Sequence, residues 1–110
     1  MSKYGNIRTE CQEGHKHDSR IEAEYCFFFF HQQKKGIYQK VETQVRFIIV
    51  PAFLKHKPRY YIADFVLHHP DGTIEVVDVK GVKTTLFSLK WHLLQYLKLQ
   101  DSRYIFTILT

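Results

Sequence analysis

Three charged residues sit where an apolar strand should carry none. The run Tyr61-Ile62-Ala63-Asp64-Phe65 holds Asp64, and the run Glu75-Val76-Val77-Asp78-Val79-Lys80-Gly81 holds Asp78 and Lys80. A charge inside an apolar strand costs several kcal/mol unless something pairs with it. Two ionised carboxylates at one spot repel, which favours a cation between them, and an all-oxygen site with open positions suits Mg²⁺ or Mn²⁺ better than zinc. A phosphate is the matching substrate group.

The elements that must position these groups follow from the residues between them. His69-Pro70-Asp71-Gly72 is a strong turn signal and makes the two runs a β-hairpin. With the turn centred near Asp71, Asp64 falls across from Asp78. Side chains alternate faces along a strand, so Asp78 and Lys80 share a face, and Asp64 joins them if the register holds to within an even shift. Glu75 alternates to the opposite face and reads as a surface charge, and His68 and His69 before the turn read as exposed.

Upstream, Asp18-Ser19 opens a helix, and Ser19-Arg20-Ile21-Glu22 has the spacing of a capping box. This helix runs to about residue 35, where Gly36 stops it. Ile21, Tyr25, Phe28 and Phe29 share a core-facing stripe. Glu22 falls within that stripe and so needs a partner, whereas Glu24 points elsewhere. The run Phe27-Phe28-Phe29-Phe30 covers more than one face, so the helix is expected to be buried on both sides or to meet a partner subunit. Residues 44–50 read as a β-branched strand ended by Pro51. The basic loop Lys55-His56-Lys57-Pro58-Arg59 leads into strands over 60–68 and 73–80. A second helix covers 85–100, with Leu86, Leu89, Leu93, Tyr96 and Leu97 at helical spacing, and Tyr104 to Leu109 supplies a last strand. The fold class is therefore α/β (α+β), in the order α-β-β-β-α-β. Its mixed central sheet has three antiparallel strands, the final crossover makes the last pair parallel, and helices flank the sheet.

These residues and this order resemble the PD-(D/E)xK nuclease superfamily, with its restriction-endonuclease-like core. Asp64 matches the first acidic position and Asp78-Val79-Lys80 the acidic-x-Lys triplet, while Ala63 stands where the signature has proline. The small size and the Ser-x-x-Glu helix are most similar to phage-encoded nucleases related to Holliday-junction resolvases. The resemblance covers residues 19–110. It implies metal-dependent hydrolysis of DNA phosphodiesters, with branched or recombination-intermediate DNA among the substrates and with 5′-phosphate and 3′-hydroxyl products. Asp64, Asp78, the Val79 carbonyl and the first-helix acid Glu22 would hold Mg²⁺ or Mn²⁺, and Lys80 would act at the attacking water. A capping box remains an alternative account of Glu22. Lys83 and Lys90 near the second helix, and Lys55, Lys57 and Arg59 in the loop, would anchor phosphates. Symmetric cutting of branched DNA would make a homodimer the expected assembly.

Composition bounds the remainder. The 110 residues, 45% hydrophobic and 15% aromatic, make one domain over 18–110 with enough apolar side chains for a core, preceded by a polar arm over 1–17 that is expected to be loose without a partner. A formal charge of +5 favours a polyanionic partner. No apolar run of about 18 residues exists to cross a bilayer, and the first twenty residues lack a signal peptide's apolar stretch, so no membrane partner and a cytoplasmic location, bacterial or phage-infected host, are expected. Cys26 reads as a small buried hydrophobe. Two other classes stay open. One is a non-catalytic nucleic-acid-binding module of the same fold. The other is a zinc-stabilised interaction domain using Cys11, His15 and His17 with Cys26 or His31.

Overall fold

The computed structural model describes residues 9–10, 16–17 and 20–110. Two short strands, β1 (Thr9–Glu10) and β2 (Lys16–His17), pair antiparallel within the expected arm. Then follow α1 (Arg20–Lys34), β3 (Lys40–Val50), β4 (Arg59–His68), β5 (Ile74–Val79), α2 (Thr85–Leu97) and β6 (Tyr104–Leu109). From α1 onward the chain is α-β-β-β-α-β. The sheet order is β3-β4-β5-β6, with β3–β4 and β4–β5 antiparallel and β5–β6 parallel.

Local chemistry explains the connections. At the β4–β5 turn, Gly72 takes a positive φ of 93° and its amide donates to the His69 carbonyl at 3.0 Å, while the Asp71 carboxylate accepts from the Thr73 amide at 2.9 Å. Thr84 caps α2, its hydroxyl accepting from the Phe87 amide at 3.1 Å. Of the sequence-predicted boundaries, β3 begins earlier than residue 44 and α2 ends earlier than residue 100.

The sheet buries one apolar cluster on each face. Ala23, Cys26 and Phe29 of α1 cover Val41, Phe65, Leu67 and Val77. Phe87, Trp91 and Leu94 of α2 cover Ile49, Tyr61, Ala63, Val66 and Val76 on the other face. Each large side chain so removed from water contributes roughly 1.5–3 kcal/mol. Both helices are rotated from the expected stripes. In α1, Ile21 and Phe28 are exposed and the small residues Ala23 and Cys26 face the sheet, which lets the helix approach closely. In α2, Leu86, Leu89, Tyr96 and Leu97 are exposed and the aromatic pair Phe87 and Trp91 is inside. Aromatic side chains offer more area to bury and stack here at 5.7 Å between centroids, so they took the inner face.

A second feature shapes the site. Along β4, Tyr61 and Ala63 belong to the α2-side cluster, whereas Phe65 and Leu67, an even number of residues further on, belong to the α1-side cluster. Val41 and Val45 of β3 divide in the same way. Strict alternation would keep each set on one face. The inversion falls at Asp64 and Gln44, which are bracketed by the pairs Thr43↔Phe65 and Val45↔Ala63, and Gln44 has φ 52°. A non-glycine residue with left-handed backbone inside a strand is uncommon and carries strain of order 1–3 kcal/mol. Beyond this point β4 leaves β5: their pairing spans only Phe65 to His68, and residues 59–63 form a two-stranded ribbon with β3.

Candidate active site

Asp64 and Asp78 stand where β4 and β5 part. The register Phe65↔Val77, continued one step, sets Asp64 opposite Asp78, as the hairpin spacing predicts. Because the ladder has ended, the Val79 amide lacks a strand partner on the β4 side, and Asp64 Oδ2 accepts from it at 2.7 Å. The Asp64 carboxyl also meets that of Asp78. Asp78 is 1% exposed. Its Oδ2 accepts from the Tyr61 hydroxyl, and Lys80 Nζ lies 3.2 Å from its Oδ1. The lysine is not aligned for a hydrogen bond, so Oδ1 is buried without a donor, the only such side-chain atom among the described residues. A buried carboxylate oxygen without a donor is costly and calls for an explanation.

Glu22 completes the acidic group from α1. It is buried, Glu24 is exposed, and Gln44 Nε2 donates to Glu22 Oε2 at 3.1 Å. Ser19, the other half of the expected capping box, lies outside the described residues. Lys80 is a third exposed and holds its ammonium 4.7 Å from the centre of the Phe87 ring, a cation–π contact that keeps it beside Asp78.

Electrostatics follow from this crowding. Burial, then the charge of Asp78, then that of Glu22 raise the Asp64 carboxyl to about 9, against the lowering effect of the Val79 amide. Burial and the bond to Asp78 push the Tyr61 phenol up as well, so it remains a donor at any working pH. Among the described residues no three His, Cys, Asp or Glu side chains close tightly enough to enclose an ion. The acids stand as neighbours: Asp64 keeps its proton because it is buried and has Asp78 and Glu22 beside it, and Glu22 is held by Gln44. The donor set nevertheless fits a hard divalent cation. It offers only oxygens, one of them an orphan, and a cation would replace the proton that burial and repulsion keep on Asp64.

The structure thus brings together Asp64, Asp78, Lys80 and Glu22. Val79 enters through its amide; its carbonyl has no role visible in the structure. The proposed phosphate anchors lie apart from this group. Lys55, Lys57 and Arg59 are exposed at the far end of the β3–β4 ribbon, Lys83 is exposed ahead of α2, and Lys90 is half-buried on α2. Three residues of the site escaped the sequence reading. Tyr61 had a signal, since a phenol on a buried strand needs a polar partner. Gln44 had only its polarity, and Phe87 none.

Other expectations are corrected. Glu75 is on the face opposite Asp78 but is half-buried, accepting from the Thr107 hydroxyl at 2.6 Å and lying 2.8 Å from His69 Nε2. His68 is likewise half-buried and meets Glu42. Cys26 is fully buried in the α1 cluster, as a small hydrophobe. Cys11, His15 and the His17 side chain of the zinc reading lie outside the described residues. No described helix is long and apolar enough to cross a membrane.

Searches of curated proteins and of solved structures return no match. A family profile described as "Protein of unknown function (DUF1064)" matches residues 1–108, nearly the whole chain, and on that match the chain belongs to the DUF1064 family.

Proposed function

We propose that this protein is a metal-dependent endodeoxyribonuclease that hydrolyses phosphodiester bonds, with Asp64, Asp78 and Glu22 as metal ligands and Lys80 as the catalytic cation. The observation that carries the reading is the buried, donorless Asp78 Oδ1, set beside the protonated Asp64 at the fork of β4 and β5. The similarity of Asp64 and Asp78-Val79-Lys80 to the PD-(D/E)xK signature supports it, and so does the element order. Bound between these carboxylates, with the Val79 carbonyl as a further donor, Mg²⁺ or Mn²⁺ would stabilise charge on the phosphate oxygens and acidify a water.

The chain's own residues supply the rest. Tyr61 fixes the Asp78 carboxylate by holding Oδ2, which leaves Oδ1 facing the site. Gln44 orients Glu22. Lys80, packed on Phe87, sets an ammonium where it can hold a water in line or neutralise the negative charge that develops on attack. DNA is gripped away from the chemistry by Lys83 and Lys90, and by the ribbon that runs from the fork. Asp64 and Arg59 are five residues apart on β4, so at about 3.3 Å per residue the basic loop of Lys55, Lys57 and Arg59 lies at least about 17 Å from the site. That spacing engages phosphates several nucleotides from the cut. Branched or recombination-intermediate DNA is the substrate class proposed, in a bacterial or phage-infected cytoplasm.

The test is a panel of end-labelled linear, nicked, flapped and four-way DNAs incubated with Mg²⁺ or Mn²⁺ and with EDTA. Cleavage that requires the metal is expected. DNA binding without cleavage of any substrate would instead support a non-catalytic module of this fold.

A further inference from the structure

Leu54 is out of place in two ways. Its side chain is 92% exposed, the most exposed large apolar group among the described residues, and its backbone is left-handed, with φ 50°. It stands at the tip of the β3–β4 ribbon. There the His56 amide donates to the Phe53 carbonyl at 2.8 Å and the Phe53 amide to the His56 carbonyl at 3.3 Å, so Leu54 and Lys55 are the central pair of a two-residue hairpin turn. Only the first of that pair has a positive φ, a pattern for which glycine is the favoured residue. Leucine there strains the backbone and puts an apolar side chain in water, and glycine would do neither. Such an outlier points to function.

The surroundings of the tip indicate its partner. Pro51 and Pro58 stiffen the two arms below the turn, and Phe53 packs on His56 with 4.9 Å between ring centroids. Between Glu42 and Asp64 the chain carries Arg46, Lys55, Lys57 and Arg59 and no acidic residue. Lys55, Lys57 and Arg59 are exposed around Leu54. An apolar point ringed by cations matches a polyanion with an apolar interior, which describes base-stacked DNA. An anionic lipid surface shares that chemistry. The continuity of β4 favours DNA, because one strand runs from the basic tip to Asp64.

We propose that Leu54 is a wedge that enters the base stack of DNA at a branch point and so selects branched over linear substrate, with Lys55, Lys57 and Arg59 on the flanking phosphates. This rests on the reading of the chain as acting on DNA. Unstacking a base step opposes insertion, and the opposition is least where pairing is already broken. A single leucine gains no more by burial than an intact step loses by unstacking, so the wedge enters a junction or a flap and not a continuous duplex.

Fluorescence anisotropy of labelled four-way, flapped and linear DNA with the full chain, in EDTA so that nothing is cut, tests the proposal. The wild type is expected to bind the branched DNAs roughly tenfold or more tightly than the linear one. Leu54→Gly, which suits the turn, should keep the melting temperature, lose that preference and bind linear DNA as the wild type does. A fluorescent adenine analogue at the branch should brighten on binding the wild type and not the variant. Leu54→Asn, also at ease in a left-handed backbone, decides the matter if the glycine variant misfolds. A preference for branched DNA that survives in both variants would overturn the wedge and leave the nuclease reading standing, and so would a wild type without any preference. Binding to no DNA would overturn both. Sedimentation with anionic phosphatidylglycerol vesicles that Leu54→Gly abolishes, with DNA affinities unchanged, would overturn the wedge in favour of a membrane contact.

Discussion

Gln44 and Glu22, 22 residues apart, are joined by a 3.1 Å hydrogen bond from the Gln44 amide to the Glu22 carboxylate. The same Gln44 holds a left-handed backbone inside β3, at the place where β3 and β4 exchange their inward faces. One residue therefore carries both a strained backbone, on the strand that pairs with β4 beside the fork, and the contact that orients the helix acid. Strain of this kind persists where the surroundings over-determine it, as at sites of function.

Gln44→Gly separates the two roles. Glycine adopts φ 52° freely and relieves about 1 kcal/mol of backbone strain, while the lost hydrogen bond costs about 1 kcal/mol. Urea denaturation should therefore show a stability change within about 1 kcal/mol of zero, while cleavage slows. A variant that cleaves like the wild type would show that Gln44 does not position Glu22.

Glu22→Gln keeps the side-chain length but removes an anionic ligand. It should weaken Mg²⁺ binding by calorimetry and slow cleavage, with partial recovery at high metal concentration. Glu24→Gln, on the exposed side of α1, should change little. A helix cap alone would cost at most about 1 kcal/mol and leave cleavage intact at limiting Mg²⁺. That result would remove Glu22 from the site.

Tyr61→Phe removes the hydroxyl that donates to the buried Asp78 carboxylate. The metal-free protein should lose about 1–3 kcal/mol of stability. Mg²⁺ should raise the variant's melting temperature more than it raises that of the wild type, since the cation then compensates both oxygens. An equal metal-induced rise in the two proteins would contradict the link between Tyr61 and the metal position.

The pH dependence has a definite sign. The fold holds the Asp64 proton up to about 9, whereas an unperturbed Asp carboxyl releases it near 3.8. Across that interval the folded state binds a proton that the unfolded chain has lost. The contribution to stability is whole below about pH 4, declines as pH rises, and is gone above about pH 9. In EDTA the melting temperature should fall through this window, and Asp64→Asn should flatten the fall. Mg²⁺ competes with the same proton, so its stabilising effect should grow towards alkaline pH. A metal effect independent of pH would exclude Asp64 as a ligand.

The acidic pair and Lys80 were legible in the sequence because a charge within an apolar run is conspicuous and because Pro70-Asp71-Gly72 sets the register. Glu22 was legible for a related reason, an acid among aromatic residues on a helix that must face a sheet. The helix faces themselves were not. The run Thr85–Leu97 is apolar on nearly every side, so periodicity could not choose between the leucine seam and the Phe87–Trp91 pair, and buried area decided. Gln44 was hidden because nothing in a glutamine announces a positive φ, which sequence reading expects at Gly or Asn. Tyr61 was in plain view, but the register sets it opposite Gly81, three positions past Asp78, and only the parting of β4 and β5 brings the hydroxyl to Asp78.

The most direct test of the central claim compares the wild type with Asp78→Asn for Mg²⁺ binding by calorimetry and for cleavage of labelled four-way and flapped DNA. The account predicts metal-dependent cleavage by the wild type. It also predicts an Asp78→Asn protein that is at least as stable in EDTA, because a crowded charge is gone, yet binds Mg²⁺ weakly and cuts nothing. Unchanged metal affinity and unchanged cleavage in Asp78→Asn would contradict it.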